Sequence, residues 1–565
     1  MKKLKLIFVG IIFLCLPGLV SAAALGGKVK FFIDPNFDST KREETIAQLI
    51  GISPRLYFYI DDSWWNSKNV YEQADIGNAI NFLTAEFENK IYPTLTSNFG
   101  SEWKPGIDKD ERITILIHPL AEEAAGYFNS GDEYSKLENP KSNEREMIYL
   151  NSQHLDKALL KSFLAHEFVH LITFNQKDKT YGVSEETWLN EARAEYVPTL
   201  VGYDEEFGGS NLQRRVKQFL EEPSNSITEW QNTSADYGSL NLFTQYLVDH
   251  YGVKILIDSL HSSKIGIPSI NEALVKNGFQ EDFSQIFTNW TITVLVNNCS
   301  LNEKYCYKNK NLKNFRLAPQ TIFLPLIGES TLSIINTTKN WTGNWHKIIG
   351  GKNILKLEFQ GDPKVKFRVP YLIEDLEGKT TINFLNLDKD QKATIFIPDF
   401  KTKNNALTII PSVQSKLSSF NGLEPPIQFS FVVSIVERTP EQEQELIKKL
   451  LEQIDFLQKE IARVQAQINA ILAKKIGTCT FSSDLYFGMM GNPDVRCLQE
   501  FLESQGSEIY PEGLVTGNFL SLTKAAVIRF QEKYATEILV PLGLEKGTGY
   551  FGPMTRAVAN QKLNW

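Results

Sequence analysis

The stretch LAHEFVHLITF, Leu164 to Phe174, sets two imidazoles four residues apart with a carboxylate directly after the first. On an α-helix of 3.6 residues per turn, His166 and His170 project from one face. Two imidazoles so placed can grip one tetrahedral zinc at about 2.0–2.1 Å each. Glu167 lies about 100° around that helix from His166. It borders the metal without joining the ligand pair, which is the place for a general base acting on water. A third ligand is available in WLNEARAEY, Trp188 to Tyr196: Glu191 falls 21 positions beyond His170, on a second expected helix. Two histidines and a glutamate leave the fourth corner of a zinc open, the arrangement of a catalytic rather than a structural site. Glu195, one turn further on, could accept the free ring N–H of a ligating histidine.

HEFVH followed by NEARAE resembles the gluzincin zinc peptidases, with their HExxH and downstream NExxx(D/E). AHEFVHLITF, WLNEARAEY and YGSLNLFTQYLVDHYG together are similar to hyicolysin-like secreted bacterial metallopeptidases over roughly residues 110–255. The resemblance implies zinc ligands His166, His170 and Glu191, with Glu167 as base and proton shuttle. It also implies Tyr237 as a hydroxyl donor to the oxyanion. The chain departs from the family at Ala192-Arg193, and Arg193 is expected to point outward. No GxMEN-like stretch for holding a substrate amino terminus is present, which favours an endopeptidase. His250 is expected to be a charge partner at its helix C-terminus, and His118 and His154 to be structural. Strand 112–117 and edge segment 124–128 are expected to bind extended substrate by strand addition.

The last 87 residues carry DVRCLQEFL, VTGNFLSLTKAAVIRFQEKY and GTGYFGPMTRAVANQKL. These are similar to the three-helix peptidoglycan-binding domain, with Val495, Leu498, Leu502, Val527 and Phe530 expected as the small core. The combined expectation is an exported zinc metalloendopeptidase held at the cell wall by its C-terminal domain, with a protein or peptide substrate and peptidoglycan as partners. The rival expectations are a hydrolase of peptidoglycan stem peptides and a non-catalytic wall-bound scaffold or adhesin.

The elements around these motifs imply a multidomain α+β protein. At 565 residues the chain exceeds one ordinary domain. A net charge of -8 argues against a nucleic-acid partner. MKKLKLIFVGIIFLCLPGLVSAA has a basic start, a short apolar run and small residues after it, so residues 1–24 read as a signal peptide. Export makes the remaining cysteines two expected disulfides, Cys299–Cys306 and Cys479–Cys497. Residues 25–310 alternate strand and helix signals and form the expected zincin-like domain. Strands are expected at 29–33, 55–60, 112–120 and 124–128. A helix is expected over Ile76, Ile80, Leu83, Phe87 and Ile91, one carrying the HEFVH motif, one at about 185–197 stopped by Pro198, and one from about Tyr237 to Tyr251 with Gly252 as a left-handed cap. Residues 311–437 contain short period-two runs, from LKLEF to IQFSFVVSIV, that suggest a β-sandwich. In 438–476, Ile447, Leu450, Ile454, Leu457, Ile461, Val464, Ile468 and Ile471 alternate steps of three and four, the seam of a coiled coil open to self-association or of a long helix packed on its own chain, and in either case a rod of about 50 Å. Residues 477–565 are the C-terminal domain.

Overall fold

The computed structural model describes residues 24–122, 124–155, 158–325, 330–420, 422–436, 451, 453–465 and 479–563. The expected signal peptide lies outside these residues but for Ala24, as does much of the heptad stretch. The chain is mixed α+β with several sheets and divides into two compact units, residues 1–437 and 438–565. Among the described residues, no helix is long and apolar enough to cross a membrane.

The first unit opens with a six-stranded sheet: β1 (Lys28–Phe32), β2 (Glu44–Ile52), β3 (Leu56–Asp61), β4 (Ile113–His118), β5 (Gly126–Phe128) and β6 (Met147–Asn151). Their order is β1-β2-β3-β4-β6-β5. The pairs β3–β4 and β4–β6 are parallel and the others antiparallel, so β5 is an antiparallel edge. β3, β4 and β6 are buried at every position, as strands covered on both faces must be. Phe58, Ile60, Ile115, Ile117, Ile148 and Leu150 face the helices, while Tyr59, Leu116 and Tyr149 belong to a second cluster on the other side.

The helices are α1 (Asp62–Asn66), α2 (Val70–Glu86), α3 (Tyr92–Phe99), α4 (Leu160–Thr173), α5 (Thr187–Leu200), α6 (Asn211–Glu221), α7 (Ser234–Tyr251), α8 (Lys254–Leu260), α9 (Gly266–Lys276) and α10 (Phe283–Val296). The expected stripe Ile76, Ile80, Leu83, Phe87 and Ile91 is buried throughout. In α4 every residue but Lys161 and His166 is buried. α5 does not stop at Pro198 but runs on to Leu200. A proline here costs the hydrogen bond to the carbonyl four residues back, a cost the buried α5 tolerates. Gly252 ends α7 at φ 81° and ψ 154°, so its positive φ is used but the left-handed helical cap is not formed.

Residues 320–436 build nine strands in one connected sheet. The run 392–400 meets 404–409 at a single pair, Phe400 with Asn404, so the sheet folds there into two leaves. Leu355, Leu357, Phe359, Phe429, Phe431 and Val433 of one leaf share a core with Ile348, Leu407 and Ile409 of the other. KVKFRVPYLI breaks in two, with Phe367–Arg368 pairing Ser412–Val413 away from Pro370–Asp375. Trp341, Trp345, Ile410 and Phe420 join the core of the helices instead, inside the same compact unit.

In the second unit, residues 453–465 are helical, and Ile454, Leu457, Ile461 and Val464 of the heptad seam are exposed. Beyond it, helices Pro493–Ser504, Ser521–Lys533 and Pro553–Leu563 surround a core containing Val495, Leu498, Leu502, Val527 and Phe530, the five expected residues. Two buried glutamines play matching parts. Gln499 Oε1 accepts the N–H of Thr516 and Gly517, while its Nε2 donates to Thr523. Gln531 does the same for Thr548, Gly549 and Thr555. Each fixes a Thr-Gly turn ahead of the next helix, a repeat within the domain. Both expected disulfides are present, Cys299–Cys306 and Cys479–Cys497.

Candidate metal centre

α4 and α5 pack against each other and bring the two halves of the motif together. His166, His170 and Glu191 each offer one ligand atom within 4.8 Å of the others. Nε2 of His166 lies 3.2 Å from one oxygen of Glu191, and Nε2 of His170 lies 3.6 Å from the other. Bonds of about 2.0–2.1 Å in a tetrahedron place neighbouring donors about 3.3–3.4 Å apart, so these spacings suit a zinc-sized ion. The Oε2 of Glu191 is buried and, among the described residues, makes no hydrogen bond of good geometry, its 3.2 Å approach to His166 Nε2 included. A buried carboxylate oxygen so poorly satisfied is costly, and a cation would satisfy it. Two imidazoles and a carboxylate are a donor set that could hold a metal ion.

Glu195 of α5 sits behind this group, where α5 meets α4, α6 and α7. Its Oε1 lies 3.4 Å from Nδ1 of His166. Its Oε2 accepts from Nε of Arg215 at 2.7 Å and from the side-chain amides of Asn211 and Asn241 at 3.2 Å each. The second Arg215 nitrogen closes the fork on Oε1. Burial pulls against the charge, but Arg215 and His166 outweigh it and hold Glu195 well below the usual carboxylate range. On the other histidine, Nδ1 of His170 and Oδ1 of Asn190 are both buried and, among the described residues, without a partner in hydrogen-bond geometry.

Burial alone would lower His166, but the carboxylates of Glu191 and Glu195 raise it to about 10. Burial lowers His170. Burial raises Glu167 to about 8, helped by Glu191 and Glu195 and opposed by His166. Gly126 of β5 lies against Glu167: a Cβ there would stand 3.2 Å from Cγ of Glu167 and 2.7 Å from the carbonyl oxygen of Tyr149.

A cavity of about 440 Å³ opens beside the group, lined by Ala124 to Gly126, His166, Glu167, Arg214 and Tyr237, among others. Tyr237 is half-buried, with its ring 6.4 Å from that of His166 and its hydroxyl donating to Oδ1 of Asn232 at 2.9 Å. Burial raises it well above its ordinary value, so it stays a donor.

Four expectations are corrected. Arg193 does not point outward: it is fully buried, paired with Glu185 at 2.8 Å and bonded to Ser259 at 2.9 Å. The substrate edge cannot include 112–117, because β4 is interior between β3 and β6; the edge strands are β1 and β5, and it is β5 that carries residues of the 124–128 segment. His250 is no helix-end charge, since burial lowers its pKa and Nε2 meets the carbonyl of Cys306 at 2.8 Å. Nor does Gly252 make a left-handed cap. His118 is buried at 3.3 Å from Asp38, and His154 lies against Phe163. Sequence reasoning missed Asn190, Arg214 and Arg215. Asn190 stood inside the quoted motif, whereas nothing in spacing connects α6 to the site.

Fold and site thus define a mixed α+β protein with a two-histidine, one-glutamate candidate metal centre beside a cavity. No family model matches the chain. It is 25% identical over 245 residues to "Neutral metalloprotease ShpI" of Staphylococcus hyicus, covering 39% of this chain and 51% of that protein. The chain thus spans about half the length of the curated relative it matches. Among solved structures, similarity is recorded to PliG, a periplasmic lysozyme inhibitor of Aeromonas hydrophila, at 12% identity over 21% of this chain and 100% of that one, with a TM-score of 0.13. A family GH115 4-O-methyl-α-glucuronidase matches at 8% identity over 60% of this chain and 54% of that one, also with a TM-score of 0.13. At that score neither bears on fold or function.

Proposed function

We propose that the chain is an exported zinc-dependent metalloendopeptidase, with His166, His170 and Glu191 as metal ligands and Glu167 as catalytic base. The observation that carries this is the meeting of those three ligands at zinc-like spacing beside a cavity that Glu167 lines. Similarity to a neutral metalloprotease supports the same class. Bound zinc supplies a Lewis acid that polarises the scissile carbonyl and lowers the pKa of water. The Glu167 carboxylate takes the proton of the attacking water and delivers it to the leaving amine. Tyr237 turns its hydroxyl from Asn232 to the developing oxyanion. Glu195, held by Arg215, orients His166. The free edge of β5 receives an extended peptide as an added strand.

The C-terminal unit is part of the proposal as the peptidoglycan anchor, resting on its three signatures and the buried core they specify. The helical rod is proposed to self-associate through its seam, which is exposed in the described part of a single chain.

Casein and peptide cleavage test the reading. Hydrolysis should stop with a chelator, return with zinc, and be absent in a Glu167→Ala protein that still binds zinc. Undiminished hydrolysis by Glu167→Ala would overturn it. Full-length Glu167→Ala should sediment with purified wall sacculi; failure to do so would remove the anchor.

A further inference from the structure

α6 carries two adjacent arginines with different surroundings. Arg215 is fully engaged: its fork closes on Glu195, and its remaining nitrogen donates to Oε1 of Gln218 at 2.9 Å. Its charge is therefore matched. Arg214 has no carboxylate partner among the described residues. One terminal nitrogen donates to Oδ1 of Asn211 at 2.7 Å, its guanidinium lies 5.1 Å over the Phe163 ring, and its Nε is buried with no acceptor. Asn211 is itself pinned, since its amide donates to Glu195. The Arg214 fork is thus positioned from one side and unfilled on the other. Burial and the charge of Arg215 bring its pKa down to about 10, so it stays charged at neutral pH while lacking an internal counter-ion.

Arg214 lines the same cavity as His166, Glu167 and Tyr237. Around that cavity Glu195 is consumed by Arg215, and Glu191 belongs to the ligand group. A planar guanidinium with open donors matches a carboxylate two bonds at a time, which no neutral group does.

Building on the peptidase reading, we infer that Arg214 selects substrates bearing a carboxylate beside the scissile bond, either an Asp or Glu side chain or a free C-terminus. A charge-assisted hydrogen bond in this setting gives a preference of about 10- to 100-fold over a neutral isostere.

The test uses hexapeptides carrying Glu or Gln at each position in turn, and ending in an acid or an amide. They are titrated by calorimetry onto full-length, zinc-loaded Glu167→Ala protein, so that no turnover is needed. They are also hydrolysed by the wild type to give ratios of kcat/KM. Expected is a preference of about 10- to 100-fold for one acidic form, collapsing towards parity when Arg214→Gln is added and partly kept by Arg214→Lys. A preference that follows an internal Glu assigns a side chain, and one that follows the terminal acid assigns a C-terminus. Equal binding of all acid and neutral pairs, or a preference undiminished in Arg214→Gln, would overturn the inference. Selective binding with no cleavage by the wild type would instead defeat the peptidase reading and leave the carboxylate site standing. Thermal melts of each variant exclude misfolding, and Arg214→Lys keeps the test decisive should Arg214→Gln not fold.

Discussion

Glu195→Gln exchanges one carboxylate oxygen for an amide and removes a single charge at the junction of α4, α5, α6 and α7. Four donor groups converge on that charge: the Arg215 fork, the amides of Asn211 and Asn241, and Nδ1 of His166. A glutamine cannot accept on its nitrogen, so Arg215 loses half of its fork and all of its counter-charge while remaining buried. Breaking one side of a buried ion pair costs about 3–5 kcal/mol. At about 2.1 cal/mol/K per residue over the first unit, residues 1–437, each kcal/mol shifts the melting temperature by about 1 °C, so it should fall by about 3–6 °C. Removing a carboxylate behind a ligating histidine should also weaken zinc about 10- to 100-fold. Because Glu195 is held well below the usual carboxylate range, both effects should persist across mildly acid and neutral pH. Thermal melts in chelator isolate the first effect, and competition against a zinc-binding dye isolates the second. A variant that melts within 1 °C of wild type and binds zinc equally would refute the reasoning that Glu195 anchors the site.

Other outcomes follow from groups elsewhere in the first unit. His346 is buried against Phe429 and Phe431 with both ring nitrogens unpaired among the described residues, and burial lowers it from 6.5 to about 4. The unfolded chain then binds the proton first, so stability should decline by up to about 3 kcal/mol as pH falls from 6.5 towards 4; urea midpoints for His346→Phe should show a flatter decline, and an unchanged one would contradict this. Glu133 is buried with neither oxygen bonded, and burial together with Glu146 raises it far above the carboxylate range. A raised carboxyl loses its stabilisation as pH climbs, so Glu133→Gln should raise the melting temperature more at alkaline than at mildly acid pH; a uniform or opposite shift would count against the unpaired pair. Gly126→Ala should cost about 1–3 kcal/mol in urea melts, from the clash with the Tyr149 carbonyl, and should lower kcat by displacing Glu167; wild-type values for both would show that the contact gives way freely.

The candidate ligand group was legible because helical periodicity sets His166 with His170 on one face and Glu191 with Glu195 on another before any tertiary contact forms. The core stripe from Ile76 to Ile91 was legible for the same reason. What escaped depends on contacts distant in the chain. Arg215 reaches Glu195 across 20 residues and a different helix. Arg193 looked like a surface charge, yet Glu185 pairs it in the interior. β2 escaped because its buried face carries Thr45, Ala47 and Leu49, while the more apolar Ile46 and Ile52 are exposed. The sheet in 320–436 was readable from alternation, but its fold into two leaves at Phe400 and Asn404 was not. Pro198 misled because a proline's cost falls on the turn before it, and here the buried α5 bears that cost and runs on.

Zinc content joined to X-ray absorption at the zinc edge bears most directly on the convergence of His166, His170 and Glu191. The full-length protein should hold one zinc per chain in this site, with two imidazoles and a carboxylate oxygen at about 2.0–2.1 Å. His166→Ala and Glu191→Ala should each lose that ion. Stoichiometric zinc with an unchanged spectrum in both variants, or no zinc in the wild type after loading, would contradict the assignment.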